Sequence, residues 1–247
     1  MIIKISKFGI FAFLLISTSH LNAQKNIKIQ KVKDAIVYVY DGFESNSLKE
    51  DSGIGWNGVW EFKKGENISF NEKSLKYDSK SYNTKGGSVE SKSKESSIIE
   101  RAFKDKYNLK GSTFYTSFLI TKDNNASFSL NGFADKAFRY GLKIDKNGII
   151  TIRNSGKWGK PSKKGLLKSN KTYLVVLYKR GVLYRSVIFE EGDKIPKNSR
   201  KINWITEDKS ASGVNLDKIQ FEFSGGNVSI DEFRLGATFN SVTETSN

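Results

Sequence analysis

After residue 24, short apolar runs rich in Ile, Val, Phe, Tyr and Thr recur between clusters of Gly, Asn, Asp and Lys. No stretch there sustains the i, i+3, i+4 spacing of an amphipathic helix, so the pattern predicts an all-β chain. In Thr113 to Ile120, alternation puts Phe114, Phe118 and Ile120 on one face and Tyr115 and Leu119 on the other. Both faces are apolar, as in a central strand. Ile219, Phe221 and Phe223 alternate with Gln220, Glu222 and Ser224, which predicts one packed face and one wet face.

Turn chemistry predicts three hairpins. Asn147-Gly148 would join Tyr140–Asp145 to Ile149–Arg153 through a type I′ turn. Lys179-Arg180-Gly181 would join Tyr173–Tyr178 to Val182–Phe189, and Gly225-Gly226 would join Ile219–Phe223 to Val228–Leu235. Ser79 to Ser97, rich in Ser, Lys and Gly, reads as a mobile loop. No fixed-period repeat is visible, which argues against a propeller or solenoid. Many antiparallel strands suit two packed sheets around a shared core, with Phe114, Phe118, Phe221 and Ile230 buried.

The N-terminus departs from this pattern. Lys4 and Lys7 precede the apolar run Phe8–Ile16, and Leu21-Asn22-Ala23 offers a small residue for cleavage. Residues 1–23 read as a secretory signal peptide, with a mature start at Gln24 and an exported, periplasmic or extracellular destination. The run is shorter than the ~20 residues a membrane-spanning helix needs, and no later segment approaches that length. Lipidation after cleavage would require a cysteine, and the sequence has none. Residues 24–247 carry no linker-like stretch and read as a single domain.

Cleavage also removes Met1 and His20, the only methionine and histidine. Without His or Cys, the Ser-His-Asp and Cys-His nucleophile systems and His- or Cys-ligated zinc, haem and copper are excluded. Any chemistry must run on Asp, Glu, Lys, Tyr or Arg. No cofactor is expected; a structural metal would be oxygen-ligated, with Ca²⁺ the natural candidate. Asp123-Asn124-Asn125 and Asp145-Lys146-Asn147-Gly148 offer such oxygens, although both are ordinary turn sequences. The net charge of +15 becomes +13 once Lys4 and Lys7 leave, which favours polyanionic partners.

Gly53-Ile54-Gly55-Trp56-Asn57-Gly58-Val59-Trp60, preceded by Asp41-Gly42-Phe43-Glu44, resembles the opening of secreted LamG-like modules of the concanavalin A-like lectin/glucanase family. Ser74–Tyr77 before Gly86-Gly87, the strand Phe114–Ile120, Lys171–Val176 and the closing Ile230–Phe239 match in the same order. The resemblance covers nearly all of the mature chain and implies a two-sheet antiparallel jelly-roll sandwich. The fold hosts binding, structural and catalytic domains alike. The laminarinase-like enzymes of this superfamily carry Glu-x-Asp-x-x-Glu on one strand, and that run is absent here.

A glycosidase needs two carboxylates about 5 to 10 Å apart. The adjacent pairs Asp231/Glu232 and Glu190/Glu191 point to opposite faces of a strand. If Gly225-Gly226 is a two-residue turn, Glu222 lies opposite Ser229 and shares a face with Asp231. Tyr178, Tyr184, Arg180 and Arg185 are the residues a polysaccharide lyase would use, but they lie in mostly apolar strands and read better as core or rim aromatics. Among possible sugar platforms, Trp56 and Trp60 read as core, Trp204 is undecided, and Trp158, between Lys157 and Gly159-Lys160-Pro161, reads as an exposed loop residue.

From Lys146 to Phe189 there is no acidic residue and eleven basic ones. The candidate ligand site is Trp158 with Lys157, Lys160, Lys163, Lys164, Arg180 and Arg185. A solubilising surface would have the same composition. The resulting expectation is a non-catalytic domain for recognition of a polysaccharide, with an anionic one favoured by the lysines. The rivals are a structural or surface-associated protein without a glycan ligand, and a polysaccharide-cleaving hydrolase or lyase. No nucleic-acid motif appears.

Overall fold

The structure, a computed structural model, describes residues 30–244 apart from 33–34, 46, 78–81, 83, 109–112, 135–136, 155–156 and 210–214. The signal peptide expected at residues 1–23 and the expected start at Gln24 lie outside the described residues.

Among the described residues, sixteen strands form two antiparallel sheets packed face to face. The nine-stranded sheet contains β1 (Gln30–Val32), β2 (Ala35–Asp41), β4 (Ile68–Asn71), β5 (Ser88–Ser91), β7 (Thr113–Lys122), β12 (Tyr173–Arg180), β13 (Leu183–Glu190), β14 (Thr206–Asp208) and β16 (Val228–Gly236). The seven-stranded sheet runs in the order β11 (Lys157–Trp158), β10 (Ile150–Asn154), β9 (Ala137–Ile144), β8 (Ser127–Ala134), β15 (Asn215–Ser224), β6 (Ser97–Asn108) and β3 (Trp56–Lys64). This is a jelly-roll sandwich.

Alternation explains the core. Phe114, Phe118 and Ile120 face inward against Phe128, Phe221 and Phe223 of the opposite sheet, all buried. Each such side chain contributes about 1.5–3 kcal/mol on burial. Tyr115 and Leu119, on the other face of β7, join a second cluster roofed by the short helix α1 (Phe239–Thr243). β7 is therefore buried on both sides, as its sequence predicts. Trp56 and Trp60 are core residues, and Trp60 packs on Phe221 at 4.8 Å.

Four sequence expectations change. The β9–β10 hairpin forms, but only Gly148 has positive φ; Asp145 accepts backbone bonds from Asn147 and Ile149, so the link is a longer loop rather than a type I′ turn. Ser88–Ser91 is a strand wedged between β4 and β16, not part of a mobile loop. Gly225-Gly226 joins no hairpin: it carries the chain from β15 in one sheet to β16 in the other. Both edges of β15 are already paired, by β6 and β8. A Cβ at Gly225 would lie 2.5 Å from the Asn125 carbonyl oxygen, so glycine is needed there for close approach. The hairpin between β12 and β13 forms, but Lys179 and Arg180 remain in β12, so its tip is Gly181-Val182 rather than Lys179-Arg180-Gly181.

β16 changes partner midway. Its first half pairs with β5 and its second with β2, and the bulge between holds Glu232 at φ +53°. Asp231 accepts from Leu75 N at 2.9 Å, while Glu232 accepts from Lys85 N at 2.9 Å and from Arg234 at 2.6 Å. The two carboxylates thus anchor the chain segment before β5. Burial, with Glu232 alongside, pushes Asp231 up to about 9. The Leu75 and Glu232 N–H groups that Asp231 accepts from, and Arg234, act against that rise.

Lysines with inward-facing parity sit at both ends of the sandwich, Lys122 closing β7 and Lys179 near the end of β12. Burial brings Lys179, which lies over the Phe114 and Tyr184 rings, down to about 8. Between pH 8 and the unfolded value of about 10.4 the unfolded chain then holds more protons, so this group's contribution to stability rises with pH across that window. Urea unfolding should show wild type gaining on Lys179→Met from pH 8 toward 10. Parallel pH profiles would refute the assignment.

Candidate functional site

The outer face of the seven-stranded sheet is built from the residues that alternate with the core. Ile150 and Ile152, Leu142 and Ile144, Phe128 and Leu130, and Ile219 and Phe221 all face inward. Their neighbours therefore face out, and the register aligns them. Trp158 pairs with Arg153, Arg153 with Gly141, Gly141 with Asn131, Asn131 with Gln220, Gln220 with Glu100, and Glu100 with Glu61. One row crosses all seven strands, a span of about 30 Å at the usual strand spacing. A parallel row holds Thr151, Lys143, Ser129, Glu222, Ile98 and Lys64.

The two halves of this face differ electrostatically. Toward β6, Glu100 accepts from Lys218 at 2.9 Å and lies 3.5 Å from Lys63, so charges there are matched. Toward β11, Trp158 is 45% exposed and the Arg153 guanidinium lies 5.1 Å from its ring centroid. Burial lowers the Arg153 pKa, an effect that Glu222 opposes. Beyond Arg153, Gly141 leaves the row without a side chain; a Cβ there would lie 2.0 Å from the Leu130 carbonyl oxygen. Next to that gap, the Asn131 side-chain oxygen is buried and accepts no hydrogen bond. An acceptor buried in this way costs about 1–3 kcal/mol, a cost that a ligand hydroxyl reaching it would relieve.

Trp158 is exposed, but on an edge strand rather than a loop. Lys157-Trp158 pairs with Asn154-Arg153, and the chain then continues along β10 through Gly159 N to the Ile152 carbonyl and Ser162 N to the Ile150 carbonyl. Lys157, Lys160, Lys163 and Lys164 are exposed along this edge, and no ion pair involves them among the described residues. The structure places these four and Trp158 along one edge of the sheet, with Lys157 on the opposite parity from Trp158.

It separates Arg180 and Arg185 from them. Both have outward parity on the nine-stranded sheet, across the sandwich from Trp158, and Arg185 is bound to Glu207 at 2.6–2.7 Å. The acid-free tract crosses from one sheet to the other after β11, so continuity in sequence is lost in space. Tyr178 and Tyr184 also part: Tyr184 faces the core, where burial raises its hydroxyl pKa, and Tyr178 faces outward, stacked 5.4 Å from Trp204. They cannot form one lyase centre.

The Glu222–Asp231 arrangement fails for the same reason. Glu222 lies on the outer face of the seven-stranded sheet, whereas Asp231 is buried in the other sheet. Among the described residues no group of three or more His, Cys, Asp or Glu is placed to hold a metal ion. Asp123 and Asp145 instead accept backbone N–H bonds in their turns. Arg153, Gly141, Asn131, Gln220 and Glu100 escaped the sequence reading because each is an ordinary outward position. Only register joins them.

With this geometry, the chain is a two-sheet antiparallel jelly-roll sandwich. No family model matches it, and no curated protein does. Among solved structures it is similar to a protein of unknown function from Shewanella oneidensis MR-1, with 12% identity, full coverage of both chains and a TM-score of 0.52. It is also similar to a sialidase, with 9% identity, a TM-score of 0.48 and 73% of this chain covered, but the match spans only 17% of the sialidase. A third likeness is to the carbohydrate recognition domain of Emp47p, with 11% identity, a TM-score of 0.43 and 81% and 97% coverage. At such identities the first likeness carries the fold alone.

Among the described residues no helix is long and apolar enough to cross a membrane.

Proposed function

We propose that this chain is an exported, non-catalytic, LamG-like carbohydrate-recognition domain whose ligand is a polysaccharide bearing acidic groups. The single observation that carries the reading is the exposed Trp158 at the end of a polar row, held against Arg153, on an edge whose four lysines make no ion pair among the described residues. A pyranose presents C–H groups to an indole face, and the lysines supply charge for carboxylate or sulfate beside the stacked ring.

The test is a glycan array with the mature chain, followed by titration of any hits against Trp158→Ala. If wild type binds no glycan, acidic or neutral, at low salt, the structural role replaces recognition. Release of reducing ends or unsaturated products, lost in Glu222→Gln, would replace recognition by catalysis. Export carries its own expectation: intact mass of the secreted protein should give a start at Gln24 with no lipid, and a retained 1–23 segment would overturn it.

A further inference from the structure

Gly141 marks a notch in the outer face of the seven-stranded sheet. Tyr140 and Leu142 face the core on either side of it, so Gly141 has outward parity. The Leu130 backbone approaches too closely for any Cβ, which makes the notch a property of the strand pairing.

Three polar side chains border it. Arg153 lies directly opposite on β10 and Asn131 directly opposite on β8. Lys143, two residues along β9, shares the outward parity and is a diagonal neighbour of Arg153, with Cα atoms about 7–8 Å apart. It is exposed and makes no ion pair among the described residues. Asn131 is 2% exposed, and its side-chain oxygen has no hydrogen-bond partner. Glu222, opposite Ser129 on β15, is the only acid in the parallel row, and it accepts from Ser96 at 3.4 Å.

The two cations on this rim differ from the edge lysines. Arg153 is half-buried against Trp158, and a charge short of water gains more from an opposite charge than an exposed one does. Its planar fork also matches a carboxylate through two parallel bonds, which a lysine's point charge does not. We propose that the Gly141 notch is the acid-reading subsite of the glycan-recognition face: Arg153 and Lys143 hold the carboxylate of a uronic acid unit, and a ring hydroxyl of that unit donates to Asn131. The inference rests on the recognition reading and adds which residues select the ligand. Across two strands the notch lies about 10 Å from Trp158, so the unit it holds is not the one stacked on the indole. Recognition therefore needs a chain rather than a single sugar. The edge lysines act at longer range, drawing polyanions in without choosing among them.

Isothermal titration with three probes tests this: an oligogalacturonate, its carboxyl-reduced form, and that reduced form after sulfation. Wild type should prefer the oligogalacturonate to the reduced chain by roughly tenfold or more, the scale of one charge-assisted hydrogen bond. Arg153→Met and Lys143→Gln should each remove most of that preference and leave binding of the reduced chain in place, and Arg153→Lys should restore only part of it. Glu222→Gln should tighten the oligogalacturonate. Changing Lys157, Lys160, Lys163 and Lys164 together to Gln should weaken both acidic chains at low salt and keep the preference. A preference that survives Arg153→Met and Lys143→Gln, or that disappears with the four lysines alone, would overturn the subsite and leave recognition standing. So would a sulfated chain bound as tightly as the oligogalacturonate. Failure of wild type to bind any of the three would instead overturn the recognition reading, and the subsite with it.

Discussion

Arg101→Met is expected to destabilise the fold by about 3–5 kcal/mol, the range for removing one partner of a buried ion pair. The Arg101 side chain is fully buried. It donates to Asp41 at 2.6 Å, to Asp51 at 2.8 Å and to the carbonyls of Gly58 and Ser52 at 2.8 Å, and it lies 4.9 Å from the Trp56 ring centroid. Without it, Asp41 keeps only the Trp60 indole and Phe43 N–H as donors. Burial already pushes the Asp41 pKa up, and Arg101 is the strongest influence against that push. A group whose folded pKa is raised loses stability as pH climbs above its unfolded value. The deficit of Arg101→Met should therefore be larger at pH 7 than near pH 4. Asp41→Asn in the same background should recover part of it, because the stranded charge is gone. Urea unfolding of the three variants measures all of this, and a loss below about 1 kcal/mol would show that the network contributes little.

Trp158→Ala is expected to weaken glycan binding by about 1–2 kcal/mol, or roughly 5- to 30-fold in Kd, if the indole stacks on a sugar as comparable aromatic contacts do. That loss should be the same at low and high salt, because stacking is not screened. The four lysines act differently. Their attraction falls off over a Debye length of about 8 Å at physiological ionic strength, so Lys157, Lys160, Lys163 and Lys164 changed together to Gln should flatten the salt dependence. Binding of neutral glycans should remain. Isothermal titration at two salt concentrations separates the contributions. An unchanged Kd in Trp158→Ala would leave the lysine edge as a solubilising surface only. Arg180 and Arg185 lie across the sandwich, so replacing them should leave Kd untouched and serves as a control.

Local alternation accounts for most of what was legible beforehand. It exposes the all-β class, the two buried faces of Phe114–Ile120 and the inward set Ile219, Phe221 and Phe223, because a side chain's face in a strand is fixed by its immediate neighbours. Composition around Trp158 likewise signals exposure, since that property depends on nearby residues. The Asp231-Glu232-Phe233-Arg234 run is conspicuous in sequence, yet its role as a bulge where β16 changes partner is not.

What the chain alone left undecided depends on pairing between distant segments. A shift of two residues in register would keep every strand's faces and still change which residues lie side by side, and no local signal fixes that choice. The row from Trp158 to Glu61 exists only because seven strands align. The Gly225-Gly226 pair has the composition of a hairpin turn and serves as a crossing, because β15 already has both neighbours and Asn125 packs against the first glycine. Arg101 meets a carboxylate sixty residues away. The sequence by itself determined the alternating apolar positions that build the core and which chemistries lack their side chains. Tertiary structure decided which polar residues share a face, because strand order and register arise from packing two sheets around one core.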